Sequence, residues 1–326
     1  MAVLVTGGAG YIGAHVTRLL LERGDDVVVI DDLSTGAAAR TGRARLVTLD
    51  IAVDAAVAAI ERTILDNGVD AIVHLAAKKR VGESVDRPTW YAQQNVGGLT
   101  NVLVAAQRAN VDRLVFSSSA AVYGMPDITT VAETTQPNPI NPYGRTKLFG
   151  EWMVEDAANA WGLRAANLRY FNVAGAGWPD LGDPAALNLV TMVFEQIDRG
   201  EHPLIFGDDY PTSDGTCIRD YVHVLDLAQA HIAALDYLSG PREFMNFNVG
   251  TGFGHSVREV IDAIATASGR TLEPVVVARR AGDPPQLVAD VARIHEVLGW
   301  RAEHSLPGII QSAWTAHLRT MEERVR

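Results

Sequence analysis

Short, continuous apolar runs alternate with longer segments of helical spacing through the first third of the chain. The runs are rich in β-branched and aliphatic residues, a pattern typical of strands covered on both faces of a parallel sheet. Glycine or asparagine closes several of the longer segments, as at Gly24, Gly68 and Asn110, which is usual where a helix ends. The pattern predicts strands at Ala2–Thr6, Val27–Ile30, Leu46–Leu49, Ala71–Leu75 and Arg113–Ser118, and helices at Ile12–Arg23, Val53–Asn67 and Val96–Asn110.

The order strand, helix, strand requires right-handed crossovers and predicts a doubly wound parallel sheet. From about Ala176 prolines and turn-rich stretches interrupt the pattern, and a helix is predicted at Val257–Ser268. We therefore predict an α/β protein with a Rossmann-type domain at residues 1–172 and a smaller mixed α/β substrate domain at residues 173–326. Parts of the second region, such as Asp220–Leu238, could pack back on the first domain.

Composition and charge exclude several classes of protein. The 326 residues are 48% hydrophobic and 21% charged, values that are ordinary for globular domains. The net charge of −11 argues against binding to nucleic acid or to an anionic membrane. No apolar run approaches the roughly 20 residues that span a bilayer, and the N-terminus lacks the pattern of a signal peptide. We expect a cytoplasmic protein.

Cysteine and histidine form neither a disulfide pattern nor a metal pattern. Cys217 is the only cysteine, so an intrachain disulfide and a zinc cage of cysteines are excluded. The nine histidines are scattered, without an H-E-x-x-H motif or a close pair. We therefore predict no metal site and interpret His74, inside an apolar run, as a core histidine.

The strongest local signal is the glycine-rich stretch Gly7–Gly13, which follows the first predicted strand and opens the first predicted helix. Its glycines let the backbone turn tightly and let a pyrophosphate approach the helix N-terminus, where amides and the helix dipole favour an anion. Asp31 stands near the end of the next strand, where a carboxylate can bind both ribose hydroxyls of NAD and would repel the 2′-phosphate of NADP. The pattern predicts an NAD site; the alternative for Asp31 and Asp32 is a solvated pair in a loop.

A second signal is the stretch Tyr143–Lys147, which places Tyr143 and Lys147 on one face of a predicted helix. A phenol has an ordinary pKa near 10, whereas a general base should titrate near the working pH. Lowering this pKa by about 3 units requires roughly 4 kcal/mol from nearby positive charge, which Lys147 and an oxidised nicotinamide can supply. In isolation the pattern also fits an exposed tyrosine at the start of a surface helix, and the glycine-rich stretch favours the catalytic interpretation.

A third signal is the serine run Ser117–Ser119 at the end of the predicted strand Arg113–Ser118. Ligands of open α/β sheets bind at the carboxyl ends of strands. A hydroxyl there can hydrogen-bond a reacting oxygen of a bound ligand and relay its proton. Serines at strand ends are also common turn residues, which is the alternative.

Together these motifs resemble the extended short-chain dehydrogenase/reductase superfamily, with its T-G-x-x-G-x-x-G loop and Y-x-x-x-K pair. Nearly the whole chain is similar to one family within it, the UDP-glucose (UDP-galactose) 4-epimerases. The resemblance implies an NAD-dependent isomerase of galactose metabolism, with an NAD-binding domain, a sugar-nucleotide-binding domain and a homodimeric assembly. Its narrower marks are Val81–Val85, Leu168–Asn172, Gly207–Thr212, Asp214–Thr216 and Arg219–Tyr221.

The resemblance also implies roles for individual residues. Tyr143 would be the catalytic base, Lys147 its charge partner and Ser119 the hydroxyl beside the sugar O4. Implied contacts to NAD are Gly7, Gly10, Tyr11, Ile12, Gly13, Asp31, Asp32, Ser34, Thr35, Gly36, Asp50, Ile51, Leu75, Ala76, Ala77, Lys79, Gln94, Tyr143, Lys147 and Phe171. Implied contacts to the UDP-sugar are Ser119, Tyr143, Asn172, Asn188, Leu189, Leu204, Phe206, Arg219, Arg280, Asp283 and Leu287.

In the implied reaction, UDP-galactose becomes UDP-glucose through a transient 4-keto sugar. Tyr143 removes the O4 proton while the C4 hydride passes to NAD, and the keto sugar turns about its link to phosphate before the hydride returns. Such a site holds the nucleotide tightly and the sugar loosely. Arg219 and Arg280 suit the first task because guanidinium matches phosphate in charge and geometry. The alternative for both arginines is a surface ion pair with Asp220 or Asp283.

Three positions depart from the family pattern. The family commonly has Asn-Asn-Val where this chain has Gln94-Asn95-Val96, and Ala121 stands where a serine or threonine often follows the catalytic serine. Leu287 aligns with a gating position where a tyrosine is associated with excluding N-acetyl sugars and a small residue with admitting them. Leucine lies between these sizes, so the preferred UDP-sugar stays open.

Three other functions compete with this interpretation. The nearest is a 4-epimerase of another UDP-sugar, such as UDP-N-acetylglucosamine or UDP-glucuronate. A 4,6-dehydratase needs an acid and a base directly after the catalytic hydroxyl, where this chain has Ala120-Ala121, and a methyl group cannot transfer a proton. A redox sensor that binds a dinucleotide without turning it over would not need both Tyr143 and Lys147.

Overall fold

The strands and helices belong to a computed structural model that describes residues 1–240, 244–280 and 282–325. No helix within these ranges has an apolar stretch of the length needed to span a bilayer. The strands are β1 (Ala2–Thr6), β2 (Asp26–Asp31), β3 (Arg45–Thr48), β4 (Ala71–His74), β5 (Arg113–Ser117), β6 (Thr130–Val131), β7 (Arg164–Tyr170), β8 (Asn172–Ala174), β9 (Leu204–Phe206), β10 (Ile218–His223), β11 (Met245–Val249), β12 (Gly254–Ser256), β13 (Val275–Val277) and β14 (Gln286–Ala289). The helices are α1 (Tyr11–Arg23), α2 (Ala56–Asp66), α3 (Val81–Asp86), α4 (Pro88–Tyr91), α5 (Gly98–Arg108), α6 (Pro142–Trp161), α7 (Leu189–Arg199), α8 (Val224–Tyr237), α9 (Val257–Ser268), α10 (Ala292–Leu298) and α11 (Leu306–Val325).

Seven parallel strands form the central sheet, in the order β11-β7-β5-β4-β1-β2-β3. From β1 the chain builds the sheet through β2 and β3 in one direction, and through β4, β5, β7 and β11 in the other. The predicted Rossmann-type doubly wound sheet is confirmed. Such sheets bind ligands at the carboxyl ends of their strands, at the point where the strand order reverses, which here lies between β1 and β4.

The central strands are buried because helices cover both faces of the sheet. Val3 and Val5 of β1 pack in one hydrophobic cluster with residues of α1 and α8. Leu4, which points to the other face, packs with residues of α2, α5 and α6. This two-sided burial explains why the strands read as continuous apolar runs in the sequence.

The five strands and three helices predicted in the first third are confirmed, with their ends shifted by at most three residues. Gly24, Gly68 and Asn110 follow α1, α2 and α5 with φ angles of 91°, 56° and 58°. This is the left-handed conformation that terminates helices. The predicted helix Val257–Ser268 is also confirmed, as α9.

Several elements beyond residue 173 contribute to the core around the central sheet. β11 pairs with β7 at the edge of this sheet, and α8 packs against α1. Ile294 of α10 and Trp300 belong to the same hydrophobic cluster as Val3. The core of the first predicted domain therefore draws on the second half of the chain, and the boundary at residue 172 stays a proposal.

The remaining strands build a smaller mixed α/β unit. β10 pairs in parallel with β8 and β14, and β14 with β6, whereas β12 runs antiparallel to β10. β9 and β13 form a separate parallel pair. Phe194 of α7, Ile261 of α9 and Ile310 of α11 belong to the core of this unit.

Candidate active site

The glycine-rich stretch forms the turn between β1 and α1. Gly7 has a φ of 73°, and a Cβ there would lie 2.7 Å from the amide nitrogen of Ala76. A Cβ on Gly13 would lie 2.1 Å from the carbonyl oxygen of Gly7. Only glycine fits these positions, so the turn lies close against the first turn of α1. No side chain caps that helix, which leaves amides of its first turn available to an anion.

Asp31 lies at the carboxyl end of β2, beside the glycine turn. Its Oδ2 accepts a hydrogen bond from the amide of Ala9 at 3.0 Å, and its Oδ1 accepts one from the amide of Leu33 at 2.8 Å. Burial raises the pKa of Asp31, although the two amides oppose the rise. The side chain is buried, so the alternative of a solvated loop pair is wrong for Asp31. The backbone fixes this carboxylate in the cleft that the glycine turn borders.

A long cleft, called the cofactor cleft below, runs along the carboxyl edge of the central sheet from the end of β3 to α6. Its volume is about 1280 Å³, including space open to solvent. Two of the expected NAD contacts do not line this cleft: Gly36 packs closely on Ala9, and Phe171 lines a neighbouring cleft. The expected NAD contacts that line the cofactor cleft are Gly7, Gly10, Tyr11, Ile12, Gly13, Asp31, Asp32, Ser34, Thr35, Asp50, Ile51, Leu75, Ala76, Ala77, Lys79, Gln94, Tyr143 and Lys147.

Sequence reasoning missed part of the lining of this cleft. Lys78 and Arg80 flank the expected Lys79, and only that adjacency could have indicated them. The loop Asp183–Leu187 reaches the cleft from the second region of the chain, which no local pattern indicates. The lining residues that were missed are Ile30, Leu49, Lys78, Arg80, Glu83, Tyr170, Asp183, Pro184, Ala185 and Leu187.

The start of α6 places Tyr143 and Lys147 on one face. Asn141 caps the helix by accepting a hydrogen bond from the amide of Gly144 at 2.8 Å, and Pro142 occupies the first turn. The side chains of Tyr143 and Lys147 are buried, with 7% and 3% exposure. The alternative of an exposed surface tyrosine is therefore wrong. Tyr143 lines both the cofactor cleft and the neighbouring cleft.

Ser119 connects the end of β5 with the phenol. It begins a short 3-10 turn by accepting a hydrogen bond from the amide of Ala121 at 3.2 Å. Burial raises the pKa of the Tyr143 phenol, and a hydrogen bond with Ser119 lowers it without cancelling the rise. The phenol therefore needs a further positive charge before it can act as a base near neutral pH.

Lys147 is anchored to the end of β5. Its ammonium donates a hydrogen bond to the carbonyl oxygen of Ser117 at 2.7 Å and lies 5.1 Å from the ring centre of Phe116. Burial lowers the pKa of Lys147 to about 8, and the carboxylate of Glu151 opposes this shift. The role of Lys147 as charge partner of Tyr143 stays a proposal.

A buried polar network beneath this site was not predicted. Glu151, one turn after Lys147, accepts three hydrogen bonds from Arg169, at 2.9, 3.2 and 2.6 Å, and the two side chains are only 3% and 4% exposed. Ser118 also donates a hydrogen bond to Glu151. Arg169 donates to the hydroxyl of Tyr123 at 3.1 Å. Glu151 follows Lys147 by four residues on the predicted helix, and this spacing was the signal that could have revealed the network.

The neighbouring cleft, called the substrate cleft below, has a volume of about 1560 Å³, including open space. Arg219 lies in it, 3.6 Å from the carboxylate of Asp283, so the ion pair considered as an alternative exists within the cleft. Asp220 accepts hydrogen bonds from backbone amides instead. The guanidinium of Arg280 lies 4.3 Å from the ring centre of Phe206. The expected substrate contacts that line this cleft are Ser119, Tyr143, Asn172, Asn188, Leu189, Leu204, Phe206, Arg219, Arg280 and Asp283.

Leu287 is not among the described residues that line the substrate cleft. It lies on β14, opposite Arg219 of β10, and packs in a hydrophobic cluster with Phe171 and Val122. Phe171 itself lines the cleft, so Leu287 belongs to a cluster that borders it. The structure therefore gives no direct contact through which Leu287 could gate the sugar.

Two histidines that contact strands of the central sheet are core residues. His74 is hydrogen-bonded to Thr6 at 2.8 Å, and burial lowers its pKa to about 3. His231 is hydrogen-bonded to Ser117 at 2.7 Å, and burial lowers its pKa to about 4. Within the described ranges, no group of three or more His, Cys, Asp and Glu side chains is arranged to hold a metal ion.

Known proteins resemble this chain over almost its full length. A model of the NAD dependent epimerase/dehydratase family matches residues 3–250. The UDP-glucose 4-epimerase of Azospirillum brasilense is 45% identical, over 99% of this chain and 93% of that protein. A crystal structure of UDP-glucose-4-epimerase from Stenotrophomonas maltophila with bound NAD and formylated UDP-arabinopyranose has a TM-score of 0.93 and 40% identity, covering 99% of both chains. The UDP-Glc/GlcNAc 4-epimerase from Campylobacter jejuni has a TM-score of 0.85 and 38% identity, covering 98% of this chain and 99% of that one.

Proposed function

The chain belongs to the NAD dependent epimerase/dehydratase family, and we propose that it interconverts UDP-galactose and UDP-glucose by inverting the sugar at C4. The observation that carries the proposal is that Tyr143 lines both the cofactor cleft and the substrate cleft. A base for this chemistry has to lie within reach of the sugar and of the cofactor at once. The similar protein of A. brasilense, a UDP-glucose 4-epimerase, supports this choice of reaction.

NAD fits the cofactor cleft. The glycine turn leaves space where any Cβ at Gly7 or Gly13 would collide with backbone, and the uncapped first turn of α1 suits a pyrophosphate. The fixed carboxylate of Asp31 suits the ribose hydroxyls and disfavours a 2′-phosphate. Bound in this cleft, NAD would supply the acceptor for the C4 hydride of the sugar and the donor that restores it on the opposite face.

We assign the transfer of the O4 proton to Tyr143, with Ser119 as the hydroxyl beside it. The hydrogen bond between these two side chains lets a proton pass from the sugar oxygen to the phenolate directly or through Ser119. Burial works against a phenolate, so nearby positive charge has to stabilise it. Lys147 supplies part of that charge, and Glu151 favours the protonated form of Lys147.

The lining of the substrate cleft includes two kinds of group. Arg219 and Arg280 carry positive charge suited to a diphosphate, and Phe206 offers a flat surface beside Arg280. Ser119 and Tyr143 lie where the sugar would react. We infer that the arginines hold the nucleotide firmly while the keto sugar turns beside the phenol.

Elimination of water by a 4,6-dehydratase is disfavoured. Such a reaction needs an acid and a base beside the reacting carbons. Ala120 and Ala121 follow Ser119 in the 3-10 turn, and neither side chain can transfer a proton. The epimerase needs only the phenol and the adjacent hydroxyl.

We also propose that two copies associate through the first domain, using α5 and α6. On α6 Phe149 and Trp152 are 47% and 53% exposed, and their rings pack against each other at 6.3 Å. Exposed aromatic pairs of this kind are enriched in protein interfaces. Sedimentation equilibrium tests the assembly, and a mass of one chain at micromolar concentration would contradict it.

We place the protein in the cytoplasm, since its single cysteine, Cys217, is buried and free.

The function is tested by incubating the purified protein with UDP-galactose without added NAD. We expect UDP-glucose to form and UDP-galactose to remain at an equilibrium ratio, because the cofactor is regenerated in every cycle. Parallel incubations with UDP-N-acetylglucosamine and UDP-glucuronate decide the substrate. Conversion of only one of these two, with UDP-galactose unchanged, would replace the proposed substrate; conversion of none, even with NAD added, would contradict the proposed reaction.

A further inference from the structure

Lys78 links the ends of two strands across the cofactor cleft, and the roles assigned above do not use it. Its ammonium nitrogen lies 2.8 Å from Oδ2 of Asp32 and 2.7 Å from Oγ of Ser34. Asp32 and Ser34 follow β2, whereas Lys78 follows β4. Because β1 lies between β2 and β4 in the sheet, this bridge crosses the carboxyl end of β1, where the glycine turn begins.

The lysine end of the bridge is held by the backbone. The amide of Lys78 donates to Oδ1 of Asn95 at 2.8 Å, and Nδ2 of Asn95 donates to the carbonyl oxygen of Lys78 at 3.0 Å. Asn95 also donates to Thr146 at 3.0 Å, and Thr146 donates to the carbonyl oxygen of Tyr143 at 2.7 Å. The lysine is therefore tied to the first turn of α6, which carries the proposed base.

The acidic end of the bridge lies on a short loop. Oδ1 of Asp32 accepts hydrogen bonds from the amide and the hydroxyl of Ser34 at 3.0 and 2.6 Å. Partial burial raises the pKa of Asp32, but hydrogen bonds from Lys78 and Ser34 outweigh this effect and lower it overall. The side chains of Lys78 and Asp32 are 18% and 29% exposed, so water can reach the pair and the bridge can open without disrupting the core.

We propose that the Lys78–Asp32–Ser34 bridge is a strap that closes across the bound dinucleotide and slows its release. All three residues line the cofactor cleft. A dinucleotide that extends from Asp31 to Tyr143 along this cleft passes the bridge, so the bridge has to open before the dinucleotide leaves. A reaction that takes a hydride and returns it to the same sugar favours a cofactor that stays bound. The inference rests on the proposed use of this cleft by NAD.

Exchange of bound NAD for isotopically labelled NAD measures the strap directly. The protein is first saturated with NAD, and labelled NAD is then added in excess. Lys78→Met keeps the length of the side chain and removes its charge, and it should speed exchange roughly tenfold, as expected when a hydrogen bond to a charged group is lost. Asp32→Asn should also speed exchange. The double variant should exchange more slowly than the product of the two single effects predicts, because either change opens the same bridge.

The matched control is Arg319→Met, which removes an exposed ion pair with Glu323 at 3.0 Å on α11 and should leave the exchange rate unchanged. The NAD released when the unaltered, NAD-saturated protein is freed of unbound NAD and then denatured tests the premise separately. If that protein binds no NAD, both the use of the cleft and the strap are wrong. If it binds NAD but the Lys78 and Asp32 variants exchange within twofold of the unaltered rate, or if their effects simply multiply, the strap alone is wrong.

Discussion

The buried pair between Glu151 and Arg169 provides a sharp test of how the core supports the site. Its side chains are 3% and 4% exposed, and its shortest contact is 2.6 Å. Replacing Glu151 with Gln leaves the guanidinium of Arg169 without a compensating charge in a buried site. Breaking one side of a buried pair typically costs about 3–5 kcal/mol, a large part of the roughly 5–15 kcal/mol that stabilises a folded domain.

Glu195→Gln is the matched control for this change. Glu195 and Arg199 on α7 also make a contact of 2.6 Å, but their side chains are 47% and 57% exposed, and exposed pairs contribute about 0–1 kcal/mol. Urea unfolding followed by circular dichroism compares the two variants with the unaltered protein. We expect a large loss in the free energy of unfolding for Glu151→Gln and almost none for Glu195→Gln. Equal, small losses in both would refute the argument that burial makes the first pair critical.

Three further substitutions test separate parts of the account. Gly13→Ala places a Cβ 2.1 Å from the carbonyl oxygen of Gly7, so calorimetry should detect at least a tenfold loss of NAD affinity (about 1.4 kcal/mol); unchanged affinity would contradict the glycine cradle. Ser119→Ala removes the hydrogen bond that lowers the pKa of Tyr143, so turnover should fall by about 10²-fold or more. The pH at which turnover rises, as the phenol loses its proton, should also move upward. An unshifted pH profile would exclude this role of Ser119. Burial lowers the pKa of His231 from 6.5 to about 4. Between these two pH values the unfolded chain therefore binds a proton at His231 that the folded protein does not bind. The free energy of unfolding falls as the pH falls through this window. His231→Gln should flatten that fall by up to about 1.4 kcal/mol per pH unit in urea titrations, and an unchanged slope would contradict it.

Five of the seven strands of the central sheet could be predicted from local patterns, whereas β11, at one edge, could not. β1, β2, β4 and β5 are largely buried runs, so burial appears directly as continuous apolar sequence. β11 contains Asn246 and Asn248, whose side chains are hydrogen-bonded to Asn167 and Tyr123. These partners are far away along the chain, so nothing local identifies Met245–Val249 as part of the sheet.

The same distinction holds for the site. Residues that share one turn or one helix, such as Gly7 with Gly13 and Tyr143 with Lys147, could be brought together by spacing alone. The contact of Lys78 with Asp32 joins two loops that follow different strands, and only the strand order makes them neighbours. Leu287 aligns with a gating position, but it pairs with Arg219 on β10, packs in a hydrophobic cluster, and is not among the described residues that line the substrate cleft.

Turnover of the Tyr143→Phe variant on UDP-galactose tests most directly whether the phenol shared by the two clefts performs the chemistry. Phenylalanine keeps the ring that packs at the site and removes only the hydroxyl. We predict that turnover falls by at least about 10²-fold, while the NAD content and the urea midpoint stay those of the unaltered protein. Turnover within a few-fold of the unaltered enzyme, with the variant fully loaded with NAD, would contradict the account.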